Sequence, residues 1–178
     1  MSRSMLKPQL LVLLLATAGL LTACGGGGGG TSPTIAPTAA PLSSGTISGL
    51  GSIIVSGVRY ETVGSQVLDA DDGSTAITTP LRIGMTVSVE QNGTDAVTSR
   101  PIAGKIFVQS GIKGLASYTG SALTVADMPI TTDASTILLD TTGAVTNLAT
   151  LNNQSVEVYG LPQADGSFMA TLVEAETG

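Results

Sequence analysis

From Gly45 onward, apolar and polar residues alternate in short runs: Ile53 and Val55, Val58 and Tyr60, then Met85, Val87 and Val89. A period of two puts alternate side chains on one face of an extended chain, so these runs predict β-strands with one buried face. Gly, Thr and β-branched residues crowd every window, which disfavours helix. Ser56-Gly57 separates two of the runs. Asn92-Gly93 and Asp165-Gly166 are expected at the tight turns that join the last two strands of each half, because these residues tolerate positive φ.

The pattern occurs twice. With one offset Ile53 falls beside Leu123, Val55 beside Val125, Tyr60 beside Ile130, Ser65 beside Ser135, Val67 beside Ile137, Gly73 beside Gly143 and Leu81 beside Leu151. After small deletions, Val87 and Val89 fall beside Val156 and Val158, and Ala103 beside Ala170. Residues 45–109 and 110–178 therefore read as two copies of one unit. Five or six short strands are too few for a two-sheet sandwich of immunoglobulin size, but they can close into a small barrel without long open edges. The expected class is all-β, with two tandem OB-like barrels, and Leu81 and Leu151 are expected to plug a barrel end. Units this small bury only about 60% of their unfolded surface, so the two are expected to pack together.

Residues 24–44, with six consecutive glycines and Pro33, Pro37 and Pro41, carry no apolar period and read as a flexible linker. Before them, Arg3 and Lys7 precede an apolar run from Leu10 to Leu21, the order of an export signal. The run is short of the roughly 20 apolar residues that a spanning helix needs. At its end Leu21-Thr22-Ala23-Cys24 resembles the lipobox of bacterial lipoproteins. That resemblance implies cleavage of residues 1–23, a diacylglycerol on the Cys24 thiol, and acylation of the new amino group, palmitate being one such acyl group. Gly25 stands where an inner-membrane lipoprotein carries Asp, so the resemblance implies an outer-membrane lipoprotein facing the periplasm or the cell surface.

Without residues 1–23, five basic residues face 13 acidic ones, a side-chain charge of −8. This balance, with only five aromatic residues, argues against nucleic acid as a partner. The chain has no His and no Trp, and its one Cys is the expected lipid site. Intrachain disulfides, Cys/His zinc sites and His-dependent nucleophiles are thereby excluded, and no cofactor is expected.

The opening Gly45-Thr46-Ile47, the hairpin Gly51-Ser52 to Tyr60, the strand Leu81 to Val89 with Gly84-Met85, and the ending Ala103 to Ile106 together resemble a bacterial domain-of-unknown-function family that recurs in exported proteins and lipoproteins. The second copy departs from it, with Gln154-Ser155 at the Gly-Met pair and Asp127-Met128 at the Gly-Val step. The resemblance implies a fold and no chemistry.

Asp69, Asp71 and Asp72 form the one acidic cluster. Closely spaced carboxylates can ligate Ca²⁺, but this spacing also suits a solvated turn. Tyr118, expected in a turn, is the candidate exposed contact for a sugar ring, while Tyr60, Phe107, Tyr159 and Phe168 are expected to be buried. No catalytic motif is present, so the leading expectation is a lipid-anchored, non-catalytic envelope protein that docks a protein partner or stabilises the envelope. A module for a small ligand, glycan or Ca²⁺ is the alternative, and a hydrolase without a recognisable motif comes third.

Overall fold

A computed structural model describes residues 40–109 and 111–177 of the protein. The export signal, Cys24 and the linker up to Ala39 lie outside the described residues. The first half contains β1 (Leu42–Gly49), β2 (Ile53–Val55), β3 (Val58–Tyr60), β4 (Gln66–Asp69), β5 (Thr86–Thr94) and β6 (Pro101–Gln109). These lie in the order β3-β2-β1-β5-β6-β4. Just beyond β3, Glu61 pairs in parallel with Ile102 at the start of β6, and β4 continues along the same edge from Gln66 opposite Lys105 to Asp69 opposite Val108. β3 and β4 are thus two pieces of one interrupted strand, and their pairing with β6 closes a five-membered ring.

The second half repeats this plan with β7 (Ile112–Tyr118), β8 (Leu123–Val125), β9 (Met128–Thr131), β10 (Ile137–Leu139), a one-turn helix α1 (Leu148–Leu151), β11 (Ser155–Pro162) and β12 (Phe168–Ala175). β9 closes the ring through Ile130 opposite Phe168 and Thr131 opposite Met169, and β10 follows it along β12. Counting the interrupted strand once, each ring runs first, second, third, fifth, fourth, the Greek-key order of an OB-like barrel. α1 lies between the third and fourth strands, with Asn147 as its N-cap accepting from Thr150 N. Leu151 is buried below it, and the half-buried Leu81 packs against the first core in the corresponding connection.

The first strand of each barrel must serve two neighbours, and it does so by bending. Leu42 to Thr46 pair with β5, whereas Ile47 and Gly49 pair with β2. In the second barrel Ile112 to Leu115 pair with β11 and Ala116 to Tyr118 with β8. The turn of the next hairpin folds back over the bend, and only glycine leaves room for it. A Cβ on Gly45 would collide with Ser56 Oγ, and one on Gly114 would lie 2.9 Å from Ala126 Cβ. Those turns are Ser56-Gly57 (φ 50° and 79°) and Ala126-Asp127 (φ 49° and 65°), two-residue turns with both residues left-handed, as the twist of a tight hairpin requires.

Several expectations shift by a few residues. β1 begins at Leu42, three residues inside the expected linker, because the long β5 offers a partner to a segment with no apolar period of its own. Asn92-Gly93 is not the turn. Gly93 lies at an irregularity within β5 and the chain reverses at Asp95 to Arg100, where Asp95 N donates to Arg100 O. Asn-Gly suits a bulge as well as a turn, since both need positive φ. Val58 is exposed at the hairpin rim.

The counterpart of Val67 is Leu138, not Ile137: Val67 pairs with Ile106 and Leu138 with Val173, each facing its own barrel. Ser65 likewise corresponds to Thr136, each hydroxyl donating to an equivalent carbonyl, Ala103 O and Ala170 O. Gly84 corresponds to Asn153, for Gly84 N donates to Ile47 O and Asn153 N to Ala116 O. Both have positive φ, 96° and 61°, so the conformation persists where the glycine does not.

The close approach at Gly114 yields a prediction. Gly114→Val should cost about 1–3 kcal/mol by overpacking and lower the melting temperature by several degrees; an unchanged melting curve would show that the bend has room to spare.

Candidate functional site

The strongest concentration of unlike side chains lies where the two barrels meet. β12 buries apolar side chains on both of its faces. Val173 and Ala175 point into their own barrel, while Leu172, with Tyr159 and Leu139, belongs to the core of the first barrel. A bulge makes this possible: Tyr159 pairs with Leu172 and Gly160 with Ala170, leaving Thr171 as the extra residue. Its hydroxyl lies 2.6 Å from Gly84 O of the first barrel and 3.1 Å from Tyr159 O. Gly84 has to be glycine for this contact, because a Cβ there would sit 2.8 Å from Leu172 Cβ and 2.9 Å from Thr171 O.

Beside this contact runs a charged row across the outer face of the second barrel. Lys113 lies opposite Glu157, and Glu157 opposite Glu174. Two carboxylates directly opposite on a sheet repel, and each is met by a cation from the other side. Lys113 Nζ is 3.2 Å from Glu157 Oε2 and 3.6 Å from Glu176 Oε1, and Arg82 Nε of the first barrel is 2.9 Å from Glu174 Oε1. The Arg82 contact is an ion pair out of line for a hydrogen bond. Burial raises the pKa of Glu174, an effect that Arg82 opposes and Glu157 reinforces. Burial also pushes the Tyr159 hydroxyl far up, with Glu157 adding to it. Two adjoining clefts of about 340 and 230 Å³ open here, sharing Thr79 and Glu157.

The residues singled out in the sequence lie elsewhere or do other work. Asp69, at the end of β4, accepts from Asp71 N, and Asp72 accepts from Ser74 N, Thr75 N and the Thr75 hydroxyl. The side chain of Asp71 is exposed. The same device recurs at Asp140, which accepts from Thr142 N and Ala144 N. These carboxylates close turns by binding their own backbone, and the turn at Gly73 lies against the Phe107 ring, leaving Phe107 only half-buried. Among the described residues no group of three or more His, Cys, Asp or Glu is placed to hold a metal ion. Tyr118 is the last residue of β7 and half-buried, its hydroxyl donating to Gly120 O.

Sequence reasoning passed over Arg82, Thr171 and Glu174, and took Gly84 only as part of the family motif. A signal was present: Thr171-Leu172-Val173 departs from strict alternation in a strand, and continuous apolar character marks burial on both faces.

A protein-family profile described as a domain of unknown function (DUF5666) matches residues 113–174. The match falls on the second barrel, which departs further from the motif set out above than the first. No curated protein and no solved structure matches the chain.

Hydrogen bonds to the ionised form lower the pKa of Asp72 to about 2 and lower those of Asp95, Asp133, Asp140 and Asp165 as well. Groups with depressed folded-state pKa values stabilise above their unfolded values and lose that contribution as pH falls through the folded ones. Glu174 has the opposite sign, so acidification first relieves it. The melting temperature should hold or rise slightly from neutral pH towards about 4.5 and fall steeply from about 4 to about 2; a flat profile across the acid range would refute the turn assignments. Removing the hydroxyl at the joint by Thr171→Val should destabilise by about 1–2 kcal/mol, and denaturant titration with no shift in midpoint would contradict the assigned bond.

Proposed function

We propose that the chain is a lipid-anchored protein of the bacterial outer membrane, built by duplication of one module, which presents its joined barrels to a protein partner without catalysing a reaction. The observation that carries the non-catalytic reading is the engagement of its acidic groups. Six of the eight Asp side chains accept backbone N–H groups of their own turns, and four of the five Glu side chains are paired with Arg or Lys. Carboxylates held in this way are poor candidates for general acid or base. The barrel interiors are filled with Val, Ile, Leu, Ala and Tyr, which leaves outer faces and loops as the surfaces for recognition. Exposed apolar side chains such as Val63, Val97 and Val145 stand on those loops.

The anchor reading rests on the residues around Cys24. Two acyl chains hold a protein on a membrane where one does not. The acidic balance of the chain supports a partner that is not a nucleic acid. A small polar ligand is the second reading, favoured by the carboxylate-lined cleft beside Glu157, Glu174 and Glu176; a melting-temperature rise with a saturating ligand would bring it forward.

The anchor and the partner are tested together. Wild-type protein should fractionate with membranes and cross-link in intact cells to a recurrent protein, and Cys24→Ala should be released from the membrane or left unprocessed, with the cross-link lost. Membrane retention of a correctly cleaved Cys24→Ala chain would overturn the anchor, and the absence of any recurrent cross-link would overturn the partner reading.

A further inference from the structure

We infer that the joint between the barrels is built for a single use: both unused halves of the same interface are blocked, so that a second copy of the chain cannot add head to tail. The joint is heterologous, the outer face of the second barrel meeting an end of the first. Each barrel therefore owns a counterpart of the half that it does not use, and heterologous contacts of this kind extend into rings or fibres unless capped.

The register identifies these counterparts. On the first barrel, the face equivalent to the docking face of the second centres on a bulge of its own. Glu90 pairs with Lys105 and Gln91 with Ala103, leaving Gly104 where the second barrel has Thr171. Gly104 has no hydroxyl to reach a partner's carbonyl. Lys105 replaces Leu172 and Glu90 replaces Tyr159, so docking would bury two charges where the joint buries apolar side chains, a costly exchange. Phe107, opposite Leu68, stands where Glu174 stands opposite Leu139, which removes the acid that pairs with Arg82. This face is left as an open groove of about 480 Å³ lined by Val63, Gln66, Glu90, Asn92, Gly104 and Lys105 among others.

The other half is blocked independently. At the end of the second barrel, Asn153 occupies the position of Gly84, as the matching hydrogen bonds to Ala116 O and Ile47 O establish. The Cβ that Gly84 must lack is present on Asn153. Nor does the segment Leu148 to Gln154 hold a basic residue to replace Arg82. Apolar docking face, hydroxyl, ion pair and clearance are thus each missing from one or other free half.

The test restores the halves separately in the full chain. One variant, Glu90→Tyr with Gly104→Thr and Lys105→Leu, rebuilds the apolar docking face and its hydroxyl without adding an acid, and another, Asn153→Gly, restores the clearance at the receiving end, where no basic residue is present to meet an acid. Size-exclusion chromatography with light scattering should find each monomeric alone and a one-to-one complex of twice the mass on mixing. Failure of the two to associate, with both retaining a cooperative melt, would overturn the inference. Should the threefold variant not fold, the wild-type chain still decides: it should be monomeric to high concentration, and concentration-dependent assembly abolished by Gly104→Asp would overturn the inference without any restored variant.

Discussion

Tyr159, Leu172 and Leu139 belong to strands of the second barrel, yet their side chains complete the hydrophobic core of the first. That sharing answers the difficulty set by size. A closed barrel of some 65 residues has little interior and no disulfide to limit its unfolded state, and burial scales unfavourably for so short a chain. Using the outside of one barrel as part of the core of the next adds apolar burial where a free-standing barrel would have a solvated face. Gly84 permits the approach and Thr171 fixes it.

Much of this architecture could be read from the chain. Period-two alternation gave the strands, and the residues matched between the copies, Ile53 with Leu123 and Tyr60 with Ile130, turn out to form directly opposite pairs within each copy, in β2–β3 and in β8–β9. Positive-φ positions were harder, because several residue types satisfy them. Asn153 does for the second barrel what Gly84 does for the first, and a comparison by residue identity slides past it by one place. Asn92-Gly93 misled in the opposite direction, since a bulge and a turn ask for the same backbone. Register at the interrupted third strand could not be read at all: one extra residue before β10 exchanges the inward and outward faces, and only pairing with β12 reveals it.

The joint was legible only as an irregularity, the apolar doubling at Leu172-Val173, because a residue's partner across two barrels leaves no local period. The acidic residues were legible as turns and ambiguous as ligands. Asp69 and Asp72 carry the composition of a cation site, but their oxygens face the backbone of the same turn, and the echo of that arrangement at Asp140 marks it as part of the fold. The outer faces are what the core-forming pattern constrains least.

The central claim is that the two barrels form one cooperative body through the contact at Gly84. Calorimetry of the intact chain beside Gly84→Asn tests it most directly, Asn being the residue that tolerates positive φ best after glycine. One transition for the wild type, and two separated transitions or a single one markedly lowered for the variant, is the predicted result. A variant that melts in one transition at the wild-type temperature would contradict the account.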